Sequence, residues 1–222
     1  MATQIHTKTL KFLSSIKKNN NRPWFEKNKP VYEEIKKEMI AFMEALIREA
    51  SRFDPSVANA DAKKSIMRIY RDIRFSKDKT PYKTNIGAGF SAGEKNFTGA
   101  GYYVHIEPGR NFIGGGIWMP MPDALGKIRQ EVDYNFSEFK KIVESKSFKK
   151  TFGSLDRNEK LKRPPKGYSP DNPAIEYLML KSFTCGAKIS DSEVLSEQFI
   201  KKAAALMKEM HPFIAFLNKA VS

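Results

Sequence analysis

The chain is poor in cysteine, histidine and arginine, and it contains no long apolar run. A single cysteine among 222 residues, Cys185, rules out an intrachain disulfide and every zinc or iron–sulfur pattern built from several thiolates. Cys185 falls in SFTCGAKIS, a predicted strand, where a buried and inert thiol is expected. Three histidines, His6, His105 and His211, leave few places for imidazole chemistry. No stretch approaches the roughly 18 apolar residues of a membrane span. The opening MATQIHTKTLKFLSSIKK has no continuous apolar centre of the kind a secretion signal needs, so a cytoplasmic protein without membrane contact is expected.

Lysine is abundant instead. Lys and Arg total 39 against 25 Asp and Glu, a net charge of +14, and only 10 of those cations are arginine. A field of that sign attracts anions, from nucleic acid to phosphorylated or carboxylate metabolites, although a lysine-rich surface also serves solubility alone. A hydrophobic fraction of 41% with 12% aromatics is that of a globular chain, and 222 residues suffice to bury a core without metal or disulfide support.

The apolar periodicity is helical at both ends and strand-like between them. Leu10, Phe12, Leu13 and Ile16 give one helix, broken at residues 19–21, where Asn21 can cap a turn leading into Pro23. Pro30 is expected to open a longer helix through Val31, Ile35, Met39, Phe42 and Leu46, ending near Asp54-Pro55. Further on, Met67, Ile69, Ile73 and Phe75 alternate with Arg68, Tyr70, Asp72 and Arg74, which predicts a half-buried strand; a helical pattern through Ile66, Ile69, Tyr70 and Ile73 competes with it. IGAGFSA predicts another strand. GYYVHIEPGRNFIGGGIWM predicts a hairpin turning at Glu107-Pro108-Gly109-Arg110, with Pro and Gly at the central positions of a type II turn.

Helices are expected after Pro122, through Leu125, Ile128 and Val132 and then Phe136, Phe139, Ile142 and Val143. Residues 162–173 read as an irregular loop, followed by a short helix after Asn172-Pro173, a strand at 182–189 and a capping box of Ser190 with Glu193. The last apolar face, Leu195, Phe199, Ala203, Leu206 and Met210, is expected to break at Pro212. No repeat or linker divides the chain. The expected fold is one α+β domain over residues 1–222, a mostly antiparallel sheet of at least three to five strands packed with N-terminal and C-terminal helices.

Arginine is scarce yet clustered. Arg68, Arg71 and Arg74 fall within seven residues, where even spreading would place about 0.3. The planar guanidinium grips carboxylate or phosphate through two parallel hydrogen bonds, so such clustering points to geometry rather than to net charge. On the strand reading Arg68, Asp72 and Arg74 share a face, while Arg71 points toward the apolar side and needs a carboxylate partner. SKDKTPYK adds Lys77, Asp78, Lys79, Tyr82 and Lys83, either in a loop whose cations close over a bound anion or in a solvated connection, for which Lys and Pro are ordinary choices. Two readings stand. Either Arg68, Arg71, Arg74 and Lys79 hold an anion while Asp72 and Asp78 orient them, or the cluster is an ion-pair network that braces the fold.

These residues, Arg68, Arg71-Asp72, Arg74-Phe75, Asp78-Lys79 and Tyr82, resemble the signature RxxRDxRF followed by Asp or Asn, Lys and Tyr, which marks a mainly bacterial conserved family of unknown function. NNNRPWFEKNKPVYE, GGGIWMP and the region from LKRPPKGY to EYLMLKSF are similar to that family as well, so the resemblance extends over nearly the whole chain. It implies no activity and no cofactor. What it does imply is that Arg68, Arg71, Asp72, Arg74, Asp78, Lys79 and Tyr82 act together.

In GYYVHIEPG the alternation places Tyr103, His105 and Glu107 on one face and Tyr102, Val104 and Ile106 on the other. His105 beside Glu107 is a candidate proton-transfer pair, with Asp72 and Tyr82 as further catalytic candidates. The pair could supply two metal ligands, but no third is identifiable, and the missing PCxxC removes the deaminase pattern that His-x-Glu opens. Gly114 to Gly116 lack the GK[ST] of a phosphate loop and are expected to form a bulge or to admit another backbone closely. Three functional readings follow: a small phosphorylated or carboxylate ligand in an Arg-rich pocket, nucleic acid on the basic surface, or a purely structural cluster.

Overall fold

The computed structural model describes residues 4–92 and 99–222. Helix α1 (Thr7–Lys18) buries Leu10, Phe12, Leu13 and Ile16, the stripe its periodicity predicts. Asn21 then caps α2 (Arg22–Ala50), its side chain accepting from the Trp24 amide at 3.0 Å, with Pro23 in the first turn. Pro30 does not open this helix. It lies inside, and the Glu26 carbonyl that its ring deprives of a donor belongs to an exposed turn where water can bond it.

After α3 (Ala62–Ser65), four strands form an antiparallel sheet in the order β1 (Ile86–Ser91), β2 (Gly101–Ile106), β3 (Asn111–Ile117) and β4 (Phe183–Ile189). Helices α4 (Pro122–Tyr134), α5 (Phe136–Val143), α6 (Lys146–Phe152) and α7 (Ile175–Leu178) lie between β3 and β4; α8 (Asp191–Val194) and α9 (Phe199–Val221) close the chain. The expected α+β architecture, with helices at both ends of an antiparallel sheet, is the observed one. The β2–β3 turn follows its sequence: the Arg110 amide donates to the Glu107 carbonyl at 2.8 Å, and Gly109 takes φ +75° at the position where a type II turn calls for glycine. The capping box at α8 also forms, Glu193 and Ser190 exchanging bonds across the first turn.

Helix α9 lies against β3 and packs with α2, α4, α5 and α6. Gly115 makes that approach possible, because a Cβ there would lie 2.5 Å from Met210 Sδ and 2.8 Å from the Gly101 carbonyl oxygen. Tyr102, Val104, Ile106 and Ile113 cover the inner face of the sheet, and Phe139, Phe148, Phe183 and Phe213 are buried around α9. Burial of each such ring contributes about 1.5–3 kcal/mol. That explains a second departure from expectation. Pro212 sits within α9 rather than ending it, since the buried Met210, Phe213 and Ile214 outweigh the roughly 3 kcal/mol an internal proline costs.

The expected strand from Met67 to Phe75 is not formed. Isolated bridges pair Ile66 with Ala88 and Tyr70 with Tyr82, and beyond Met67 the chain leaves the sheet edge. Alternation would bury Phe75, yet it is 95% exposed. The periodicity misleads here because Pro81 offers no amide and the residues between Asp72 and Lys79 bond one another instead of a neighbouring strand.

Candidate functional site

The segment 68–83 is a projection clamped at its base. Asn20 reaches Tyr82 from the end of α1, its side-chain amide donating to the Tyr82 carbonyl at 2.9 Å and its oxygen accepting from the Tyr82 amide at 3.0 Å. The Tyr82 ring is buried and stacks on Phe25 at 4.1 Å, with Tyr70 at 5.4 Å. Across the base, the Arg71 amide donates to the Pro81 carbonyl at 2.9 Å and the Lys83 amide to the Ile69 carbonyl at 2.8 Å. Tyr82 therefore anchors the projection, and burial raises its phenol above the ordinary range.

The three arginines do not converge. Arg71 donates to Asp78 Oδ2 at 2.6 Å and to the Thr80 carbonyl at 3.0 Å, so Asp78 is the carboxylate partner its position called for. Asp78 also accepts from the Thr80 amide and hydroxyl, which, with Arg71, hold its carboxyl below the usual range. Arg74 forks onto Asp72 at 3.0 and 2.7 Å, and that contact depresses the Asp72 carboxyl. Lys79 donates to the Ile73 carbonyl at 2.9 Å. Arg68, Lys77 and Lys83 form no ion pair among the described residues. Lys83 is half-buried, and its amine is shifted down by burial first and by the charge of Arg68 second. At the far end of the projection Phe75 stands in solvent with the Arg74 guanidinium 5.9 Å from its ring centre.

A second cluster occupies the outer face of the sheet. Tyr103 Oη and His105 Nδ1 are 3.2 Å apart, and His105 Nε2 lies 3.3 Å from Glu107 Oε2. Glu107 is buried. It accepts from Thr84 Oγ1 at 3.0 Å and from Arg110, while its amide donates to Asn111 Oδ1 at 2.9 Å. The His105 ring stacks on Phe112 at 4.7 Å, and burial lowers its pKa against the opposing pull of Glu107. Tyr103 needs a glycine beneath it, since a Cβ on Gly87 would lie 2.4 Å from its hydroxyl. Gly114 and Gly186 also lie under Phe112, where a Cβ would stand 3.3 and 3.5 Å from its ring. Gly116, at φ +123°, would place a Cβ 2.0 Å from the Phe183 carbonyl oxygen, which is the close backbone approach its sequence suggested.

A third cluster went unread in the sequence. Asp54, buried just after α2, accepts from Tyr102 Oη at 2.9 Å and from the Ser56 amide at 3.2 Å. His211 Nδ1 stands 3.0 Å from the Tyr102 hydroxyl and 3.5 Å from Asp54 Oδ2. The phenolic proton goes to Asp54, so His211 donates from Nδ1. His211 is a helical residue turned into the core boundary, and only its spacing from Met207 and Met210 on α9 could have hinted at that.

Two hollows of the described surface lie elsewhere. One, of about 10 Å³, is bounded by Tyr32, Ile35, Met39, Ile66 and Ile69; the other is an open groove of about 480 Å³ between the end of α2 and residues 58–63. Neither is lined by Arg68, Arg71, Arg74 or Lys79. Among the described residues no group of three His, Cys, Asp or Glu is placed to hold a metal ion, and no helix is long and apolar enough to cross a membrane. Cys185 is buried in β4 with its thiol pushed up to about 12 by desolvation, as an inert cysteine should be.

No curated protein and no solved structure matches the chain. The family described as Conserved hypothetical protein (DUF2461) matches residues 8–216, nearly the whole length. The chain belongs to that family.

Proposed function

We propose that the protein binds single-stranded nucleic acid, or a polyanion of the same spacing, along the projection 68–83. The observation that carries this reading is Phe75, 95% exposed at the end of a segment whose six cations less two carboxylates leave +4. An aromatic ring held in water among cations is a stacking platform beside phosphate contacts, the combination that grips single strands without a deep pocket. Arg71 and Arg74 already spend donors on Asp78 and Asp72, which suits bracing the projection better than wrapping a small ligand. Arg68, Lys77 and Lys79 remain exposed for phosphates. The +14 net charge supplies long-range attraction.

One observation favours a small phosphorylated or carboxylate ligand instead. Lys83 has Arg68 as a neighbouring cation and no carboxylate of its own among the described residues, so a single anion between them would relieve both.

Fluorescence anisotropy with a short labelled oligonucleotide separates the readings. Binding in the micromolar range at low salt, falling steeply as salt rises, is expected. Phe75→Ala should weaken it by roughly 5- to 150-fold, the loss of one base stack of about 1–3 kcal/mol. Binding that ignores Phe75, or none at low salt, rejects the nucleic-acid surface. Competition by inorganic phosphate, lost on Lys83→Ala and kept on Phe75→Ala, would select the small-anion site.

A further inference from the structure

The outer-face cluster has the arrangement of an activated hydroxyl. Glu107 Oε1 is taken up by Thr84 and Arg110, leaving Oε2 toward His105 Nε2. A carboxylate only accepts, so Nε2 carries the imidazole proton and Nδ1 is left with a bare lone pair. That lone pair faces the Tyr103 hydroxyl at 3.2 Å. A hydroxyl within reach of a base whose far nitrogen is oriented by a carboxylate is the common geometry of nucleophilic catalysis, whatever the fold. The ring is fixed from the side by Phe112, stacked at 4.7 Å and 16°.

The cationic projection is tied to this relay at both ends. The Met67 amide, just before Arg68, donates to the carbonyl of Gly87 at 2.9 Å, and Gly87 is the glycine beneath the Tyr103 hydroxyl. Thr84, just after Lys83, donates to Glu107 itself. The polyanion-binding segment therefore leads into β1, the strand paired with the β2 that carries Tyr103 and His105. The neutral phenol is a poor nucleophile, and partial burial of Tyr103 raises its pKa and disfavours the phenolate. His105 removes that obstacle by taking the proton during attack, so that no free phenolate need form.

We propose that Tyr103, His105 and Glu107 form a catalytic relay for phosphodiester transesterification, with Tyr103 as nucleophile. This inference rests on the nucleic-acid reading above. The phenolic oxygen of Tyr103 forms a bond to phosphorus as the bond from phosphorus to the leaving ribose or deoxyribose oxygen breaks. The phenolic proton passes to His105 Nδ1, and the resulting imidazolium, facing Glu107, returns that proton to the leaving oxygen. The products are a tyrosyl phosphodiester and a free sugar hydroxyl. Tyr103 and His105 are the catalytic residues, and Glu107 is a positioning residue.

The test incubates the full chain with end-labelled single-stranded oligonucleotides, with and without magnesium, and follows label on denaturing gels alongside anisotropy on the same samples. Label carried on the protein at Tyr103 by mass spectrometry, or shortened oligonucleotide, is expected. Both should vanish in Tyr103→Phe, which should keep its melting temperature and its binding. His105→Gln should slow the reaction by roughly 10²- to 10⁴-fold. Glu107→Gln should slow it and move the acid limb of the rate profile to lower pH, because the carboxylate supports the imidazole's basicity. A wild-type protein that binds the oligonucleotide yet neither links nor cuts it overturns the relay and leaves the binding surface standing, as does a Tyr103→Phe variant of equal activity. A protein that does not bind at all removes both.

Discussion

Tyr102→Phe tests whether the buried cluster beneath the sheet is an energetic brace. Tyr102 is 1% exposed, and its hydroxyl donates to Asp54, itself 4% exposed, at 2.9 Å. Phenylalanine keeps the ring contacts with Phe53 and Phe90, so the substitution removes little packing and two bonds, the one donated to Asp54 and the one accepted from His211 at 3.0 Å. A hydrogen bond to a carboxylate is worth about 1.5–3 kcal/mol, and Asp54 retains only the Ser56 amide and hydroxyl and the longer His211 contact at 3.5 Å. The lost His211 bond adds about 0.5–1.5 kcal/mol, and for a chain of this size about 2–4 °C of melting temperature corresponds to each kcal/mol, so a fall of about 4–18 °C is expected. The bond is isolated by a double-mutant cycle with Asp54→Asn, measured by urea unfolding. A coupling of at least about 0.5 kcal/mol is expected for groups in direct contact. A melting shift under about 1 °C together with zero coupling would refute the assignment of a net stabilising bond.

Three further outcomes follow from particular contacts. Asn20→Ala strips both bonds from the Tyr82 backbone and should cost about 1–3 kcal/mol; hydrogen exchange should speed up at the Arg71 and Lys83 amides but not in β2 or β3, and uniform exchange would contradict the clamp. Burial holds the pKa of His105 below its ordinary 6.5, so the unfolded chain takes up this proton first: the stabilising contribution is complete above pH 6.5 and is lost as pH falls from there toward the folded value. Urea unfolding of His105→Gln should therefore show a flatter decline below pH 6.5 than the wild type, and parallel curves would refute the assignment. Gly87→Ala places a Cβ against the Tyr103 hydroxyl and should separate it from His105, with a loss of any Tyr103-dependent linkage larger than the loss of melting temperature; unchanged linkage would show that the contact does not matter.

Much of the fold was legible because it is written in short-range chemistry. The stripe of α1, the Asn21 cap, the Pro108-Gly109 turn and the Ser190–Glu193 box each depend on residues within a few positions of one another. The same local rules failed at Pro30 and Pro212, where burial elsewhere on the helix outweighed the missing amide, and at Met67 to Phe75, where alternation was present but the chain leaves the edge of β1 after Met67 and pairs beyond it only through the Tyr70–Tyr82 bridge. Local pattern names the conformation a segment favours in isolation, and packing can overrule a preference worth a few kcal/mol.

The sequence alone determined an antiparallel α+β chain with one inert cysteine, a basic field, a common face for Tyr103, His105 and Glu107, and an arginine-rich segment between helices and sheet. Tertiary structure decided what those groups do. It gave Arg71 to Asp78 and Arg74 to Asp72, left Phe75 in water, clamped Tyr82 with an asparagine 62 residues away, and brought Asp54 and His211 to Tyr102 across 48 and 109 residues. The physical reason is range. Spacing along a strand or helix orders neighbours a few residues apart, whereas contacts between distant parts of the chain exist only after the whole core has collapsed and chosen which helices cross which strands.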